Sequence, residues 1–434
     1  MMPAALTILD LRTVPIRAGF FFDDQAAIRA GAEQAGFAYA GTPVTPGFTA
    51  IRQAGDALSV LLYLSDGSIV HGDCAAVQYS GAGGRDPLFE AAQAALTIAE
   101  EVAPLLIGTE LTSFRELAER VDRHRTPNGL LHTAIRYGVT QALLAAAAHA
   151  RRCTMAEIVR DEYQTGAALG PVPIFAQTGD DRYRNAEKMI LKRIDVLPHA
   201  LINNVETKLG RQGEILEGYL RWLTERIEQL RPDAGYQPRL YFDTYGTIGL
   251  AFGDRAEDVP AVAAYLDRLG KLAEPFQLVI EHPVDAGSRD AQIEIYVLLR
   301  AELRRIGSPV QIAVDEWCNT LEDIRLFVQR GAADVIHVKT PDLGGVNNTI
   351  EALLLVTDAG LVAYCGGTCN ETDRSAVVSA HIAMACTAGQ ILAKPGMGVD
   401  EGVLVVGNEM ARVAAIVGHP AAAASPQAPQ IVTR

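Results

Sequence analysis

From about residue 170 onward, short apolar runs alternate with longer stretches in which apolar residues recur at helical spacing. The clearest runs are Arg239-Leu-Tyr-Phe-Asp243, Gln277-Leu-Val-Ile-Glu281, Gln311-Ile-Ala-Val-Asp315 and Val335-Ile-His-Val-Lys339. An apolar run with no polar alternation, followed by a helix, is the mark of a parallel strand buried on both faces. The pattern predicts eight strands, near residues 172–177, 195–199, 240–243, 278–281, 312–315, 335–339, 361–365 and 390–394. Helices such as 213–230 and 321–330 lie between them. Eight such alternations predict an α/β fold, a (β/α)8 TIM-like barrel over residues 166–417.

The beginning of the chain has a different rhythm. Two β-prone runs, 58–65 and 68–74, flank Asp66-Gly67, a strong two-residue hairpin signal. Helical spacing then continues to about Ile107 and returns at 113–122 and 130–152. Strands followed by helices, rather than alternating with them, predict a separate α+β unit over residues 1–165. The last stretch, 418–434, is rich in Ala and Pro without periodicity and is expected to be a disordered tail.

Composition narrows the function classes. A chain of 434 residues, 49% hydrophobic and 21% charged, suits a soluble two-domain protein. The net charge of −14 argues against nucleic acid as a partner, because phosphate binding needs a basic face. It does not exclude an anionic substrate, since a bound cation and local lysines can reverse the sign inside one pocket. The six cysteines suggest no disulfide framework, and Cys365 and Cys369 lack the second ligand pair that zinc would need. The first residues carry Asp10 and no basic segment, and no run approaches membrane-spanning length. The expectation is a cytoplasmic enzyme with reduced thiols.

The chemistry sits at the ends of the apolar runs. Asp243, Glu281 and Asp315 close three successive strands and Lys339 closes the next. In a (β/α)8 barrel all strands deliver their last residues to one face, where active sites lie. Three carboxylates gathered there would repel one another unless a cation neutralised them, and hard oxygen ligands suit Mg²⁺. Lys339 beside them reads as a base whose pKa a divalent cation would lower. Any one of these acids alone would more often be a helix cap or a surface residue. His199 ends the second strand, opposite the sixth across a barrel of eight. Gln177, Thr368 and Cys369 fall at or just beyond strand ends and offer donors to a substrate carboxylate. Cys369 has no visible histidine–acid partnership, so its backbone N–H in a Gly-Gly turn is the expected contribution. Gly81-Ala-Gly-Gly84 matches neither nucleotide-binding glycine motif and is expected to form a mobile lid, with Gln78 at its edge.

At this point the residues resemble a known family, methylaspartate ammonia-lyase (3-methylaspartase) of the enolase superfamily. The resemblance is carried by Asp73-Cys-Ala-Ala-Val-Gln-Tyr-Ser-Gly-Ala-Gly-Gly-Arg-Asp-Pro87, Phe175-Ala-Gln-Thr-Gly-Asp-Asp181 and Leu197-Pro-His-Ala-Leu-Ile-Asn-Asn204. Asp315-Glu-Trp-Cys-Asn319, Lys339-Thr-Pro-Asp-Leu-Gly-Gly-Val-Asn-Asn348, Cys365-Gly-Gly-Thr-Cys-Asn-Glu371 and Lys394-Pro-Gly-Met-Gly-Val-Asp-Glu-Gly402 complete it. It implies an enolase-like barrel with an N-terminal capping domain. It also implies reversible, Mg²⁺-dependent and K⁺-activated loss of ammonia from (2S,3S)-3-methylaspartate to give mesaconate, through an aci-carboxylate, in amino-acid degradation. By motif, Asp243, Glu281 and Asp315 match the metal ligands, and Lys339 the base that removes the C3 proton. His199 matches the residue of the opposite face, linked to the (2S,3R) epimer and to holding a carboxylate. Gln177, Thr368 and Cys369 match carboxylate contacts, and Gln78 and Leu392 the surroundings of the amino group and side chain. A homodimer is the family's implied assembly.

One position departs from that pattern: His337 stands where the family has a carboxylate-binding glutamine. It shares a face with Lys339 by the period-two rule, so it is expected to meet substrate and to affect substrate choice and pH dependence. Two rivals remain: a related acid-sugar dehydratase or cycloisomerase, and a non-catalytic scaffold on the same fold. The first often carries Lys-x-Lys at strand two, where this chain has His199; the second has no need of three acids and a lysine.

Overall fold

The computed structural model describes residues 6–79, 85–127, 129–397 and 399–419. The expected lid glycines 81–84 and residues 420–434 of the expected tail therefore lie outside the described residues. The chain opens with a three-stranded antiparallel sheet, β1 (Ile8–Asp23), β2 (Arg52–Leu64) and β3 (Ile69–Cys74), in the order β1-β2-β3. Asp66-Gly67 turns β2 into β3 as expected, with Gly67 at φ +85°. Helical residues 91–106 follow, then α1 (Phe114–Asp122), α2 (Thr133–Arg151) and α3 (Met155–Tyr163).

Helix α2 is buried over most of its circumference, as its Ala-Leu-Leu-Ala-Ala-Ala-Ala run requires. It lies against β3 at very close range. A Cβ on Gly72 would stand 2.3 Å from the Gly138 carbonyl, and one on Gly138 would stand 2.3 Å from the Cys74 nitrogen. Glycine on both surfaces is what lets the helix backbone touch the sheet.

The later part is a closed barrel of parallel strands. They are β4 (Ile174–Phe175), β5 (Val196–His199), β6 (Arg239–Asp243), β7 (Leu278–Glu281), β8 (Gln311–Val314), β9 (Val335–Val338), β10 (Val362–Cys365) and β11 (Gln390–Leu392), with β11 pairing back to β4. All eight expected strands are present, most of them shorter by a residue or more, and helices cover the outside. Phe175, Val196, Tyr241, Val279, Ala313, Val335, Tyr364 and Leu392 pack together as the barrel's interior. Counting forward by two from that interior decides the site: Tyr241 leads to Asp243, Val279 to Glu281, Ala313 to Asp315, and Val335 to His337 and Lys339. The same alternation that buries the core aims the acids into the mouth.

Candidate active site

The mouth is built on the ends of β5 to β9 and the turns that follow them. Asp243 lies opposite Glu281 in the β6–β7 register. His199, Asp243 and Glu281 bring ligand atoms within 4.8 Å of one another, and so do Glu281, Asp315 and His337. The backbone bends sharply around these residues. His199, Tyr245, His282 and Trp317 adopt φ of 66°, 49°, 48° and 65°, all in the left-handed region. Non-glycine residues rarely adopt it, and such positions cluster at functional sites.

Each acid has a cationic or ionisable neighbour. Lys339 Nζ is 2.6 Å from Asp315 Oδ1, and His199 Nε2 is 3.3 Å from Asp243 Oδ2. His337 Nδ1 is 2.8 Å from Glu281 Oε1, its Nε2 accepts from the Gly367 amide at 3.3 Å, and its ring stacks on Tyr364. Burial, then the charges of Asp243 and Asp315, raise the Glu281 pKa well above the carboxylate range. Burial also works against the Asp315 carboxylate, but Lys339 and His337 outweigh it and hold its pKa low. Burial favours neutral Lys339, yet Asp315 and Glu316 outweigh it and keep the ammonium charged. The expected fall in the lysine's pKa therefore requires positive charge to be placed on those carboxylates. Burial, helped by the Lys339 charge and opposed by Asp315, draws His337 down to about 4, so it is neutral at neutral pH.

The three-carboxylate set fits a hard dication. Around Mg²⁺, with Mg–O near 2.1 Å, neighbouring oxygens of an octahedron lie about 3.0 Å apart and opposite ones about 4.2 Å apart. Each 4.8 Å cluster holds two of the carboxylates and a histidine, and Glu281, common to both, feels the charges of Asp243 and Asp315, so the acids around it have strong electrostatic reason to hold a cation.

A second wall comes from the turn after β10 and from the N-terminal unit. Lys394 is fully buried and donates to Gly366 O and Glu371 Oε1, each at 2.8 Å, and to Thr340 Oγ1 at 3.0 Å. Glu371 also accepts from the Thr368 amide at 3.1 Å and from the Tyr137 hydroxyl of α2 at 2.6 Å. Gly367, at φ +141°, admits no side chain, because a Cβ would stand 2.0 Å from Glu371 Oε1. Thr368 and Cys369 thus sit on a braced turn, and Gln78 meets both: its backbone N–H donates to Thr368 Oγ1 at 3.4 Å, and Cys369 Sγ donates to its side-chain Oε1 at 3.3 Å. Leu392 is buried in the barrel interior, paired in register with Phe175; Gln177 follows Phe175 on the inward parity. Sequence reasoning missed Arg85, which reaches from the N-terminal unit to Asp342 at 2.8 Å and Glu316 at 3.3 Å beside Lys339. Its only signal was its place after the Gly-Gly pair.

A closed parallel barrel preceded by an α+β unit is an enolase-like fold. Muconate lactonizing enzyme from Pseudomonas fluorescens shares that fold at a TM-score of 0.57 and 17% identity, over 88% of this chain and 85% of that one, which is a likeness of fold alone. The chain belongs to the methylaspartate ammonia-lyase family, a family of carbon–nitrogen lyases. The models of that enzyme's N-terminus and C-terminus match residues 6–164 and 167–419. The methylaspartate ammonia-lyase of Clostridium tetanomorphum is 54% identical over 95% of this chain and all of its own length. That of Haloarcula marismortui is 51% identical over 94% of this chain and 97% of its own. The magnesium complex of the clostridial β-methylaspartase superposes at a TM-score of 0.91, with 54% identity over 95% of this chain and 99% of that one. The Citrobacter amalonaticus enzyme containing (2S,3S)-3-methylaspartic acid superposes at 0.93, with 48% identity over 95% of this chain and all of that one.

Proposed function

We propose that this chain is a Mg²⁺-dependent ammonia-lyase that converts (2S,3S)-3-methylaspartate to mesaconate, reversibly, with K⁺ as activator. The observation that carries the reading is buried Glu281 clustered with Asp243 and, separately, with Asp315, with Lys339 on Asp315. The relatives bound to magnesium and to methylaspartic acid support it. In this reading residues 1–165 cap the site and 166–417 form the catalytic barrel, in line with the two family matches. A cytoplasmic homodimer acting in amino-acid degradation belongs to the same proposal; among the described residues no helix is long and apolar enough to cross a membrane.

The reaction needs a proton removed from C3, next to a carboxylate, and a C–N bond broken at C2. Asp243, Glu281 and Asp315 would hold the cation, which supplies positive charge to the carboxylate where charge accumulates as the proton leaves. Lys339, as the free amine, takes the C3 proton; the electron pair forms the C2–C3 double bond and ammonia departs. His199 stands at the end of β5, across the barrel from β9, and holds a carboxylate from the other face. Thr368, Cys369 and Gln177 orient the substrate, His337 borders the cation site, Leu392 shapes the side-chain pocket and Gln78 faces the amino group. The test is to add 3-methylaspartate with Mg²⁺ and follow the ultraviolet absorbance of the unsaturated product and release of ammonia. A chain that binds the amino acid but releases no ammonia would overturn the reading.

A further inference from the structure

Gln78 is held by a charged pair that takes no part in the chemistry above. Asp23, at the end of β1, is 2% exposed. Arg52, at the start of β2, grips it with two bonds: Nε donates to Oδ1 and Nη2 to Oδ2, each at 2.7 Å. The guanidinium is itself fixed. It donates to the Phe37 carbonyl at 2.8 Å and lies over the rings of Phe37 and Tyr39, at 4.7 and 5.0 Å from their centroids. Gln78 Nε2 then donates to Asp23 Oδ2 at 2.6 Å.

This order of charges settles which way the Gln78 amide faces. An ionised carboxylate accepts and cannot donate, so only the NH₂ end of Gln78 can bond to Asp23. The carbonyl end must point the other way, and there it meets Cys369 Sγ at 3.3 Å. Burial pushes the Cys369 thiol up to about 12, so the sulfur keeps its proton and serves as the matching donor. A carbonyl oxygen has two lone pairs, and the thiol uses one. The other gives the oxygen capacity for one further donor.

We propose that Asp23, locked by Arg52, is a positioning residue that turns the carbonyl oxygen of Gln78 toward the substrate's amino group, making this subsite an acceptor for N–H donors. The inference rests on the ammonia-lyase reading for the identity of the donor, though not for the orientation of the amide. A hydrogen bond from a charged donor strengthens the affinity of a subsite by roughly 10-fold or more, and a reversed amide would face the amine with NH₂ instead.

The test replaces Asp23 by Ala. Nothing then holds the NH₂ end of Gln78, and its side-chain amide is free to turn over. In the addition direction, Asp23→Ala is expected to raise KM for ammonia, a neutral donor, about 3–10-fold while KM for mesaconate stays within about twofold. Asp23→Ala/Gln78→Glu should restore the ammonia KM, because a carboxylate at position 78 accepts on both sides. Asp23→Ala/Arg52→Leu removes the stranded guanidinium and serves if the single variant does not fold. A second readout needs no turnover: the infrared S–H stretch of Cys369, isolated by difference against Cys369→Ala, should shift to higher frequency when its acceptor is turned away. An unmoved S–H band with an unchanged ratio of the two KM values would overturn the proposal. Wild-type protein that adds no ammonia would instead overturn the ammonia-lyase reading, and the S–H band would still decide the amide's orientation.

Discussion

His337 Nδ1 stands 2.8 Å from Glu281 Oε1 while its Nε2 accepts from the Gly367 amide, so both nitrogens of the ring are engaged by the protein. The tautomer follows: Nδ1 carries the hydrogen. Glutamine can reproduce both contacts, donating with its NH₂ and accepting with its oxygen. His337→Gln should therefore change Mg²⁺ affinity little, whereas His337→Phe should weaken it about 10–100-fold, the usual effect of removing a group that orients a metal ligand. Calorimetric titration with Mg²⁺ measures this directly. Because burial holds His337 near 4, the pH profile of kcat/KM between pH 6 and 8 should be the same in wild type and His337→Gln. A profile that flattens below pH 7 in the variant would instead give His337 a direct role on the substrate.

The three acids should show a trade between binding and stability. Asp243→Asn, Glu281→Gln and Asp315→Asn are each expected to weaken Mg²⁺ binding and remove most activity. Glu281→Gln should also raise the melting temperature in magnesium-free buffer, since it removes a carboxyl that must either stay charged among like charges or take up a proton on folding. Differential scanning calorimetry with and without Mg²⁺ separates the two effects. Near-normal Mg²⁺ affinity in any two of these variants would reject the ligand assignment.

Lys339 and His199 lie at the ends of β9 and β5, on opposite sides of the mouth. Lys339→Ala should lower turnover of the (2S,3S) substrate about 10²–10⁴-fold, the usual worth of a general base. His199→Ala should fall hardest on the (2S,3R) epimer. Progress curves for both epimers with both variants test the division, and equal losses throughout would reject it.

The Lys394–Glu371 pair should be worth more to folding than any surface bridge. Both side chains are fully buried, so Lys394→Met, which leaves Glu371 uncompensated, should cost about 3–5 kcal/mol. Lys394→Met/Glu371→Leu should recover a large part of that loss. Denaturant midpoints for the two variants give the comparison. Equal midpoints would show that the single variant leaves no stranded charge.

The eight barrel strands were legible because strands buried on both faces have few polar residues to interrupt the apolar run, and the acids because each sits two positions beyond an interior residue. β1 (Ile8–Asp23) was not among the strands singled out: Pro15, Arg12 and Arg17 break its pattern, and much of its length is partly exposed. The pairs that position other groups were also invisible. Asp23 and Arg52 are 29 residues apart, Lys394 and Glu371 meet across 23 residues that include a helix and a strand, and Tyr137 reaches Glu371 from 234 residues away. Contacts of that kind have no period, and only the folded chain brings them together.

The rings of Phe175, Tyr241 and Tyr364 fill the barrel under the acids, with centroids 4.5 and 5.3 Å from Phe175 to its two neighbours. They close the barrel beneath the acids. On the proposed reaction, amino acid, ammonia and unsaturated diacid must then all come and go on the acids' side of that layer. Turnover becomes a question of traffic: the order in which a small neutral molecule and a larger dianion arrive and depart would govern how readily the enzyme runs backward.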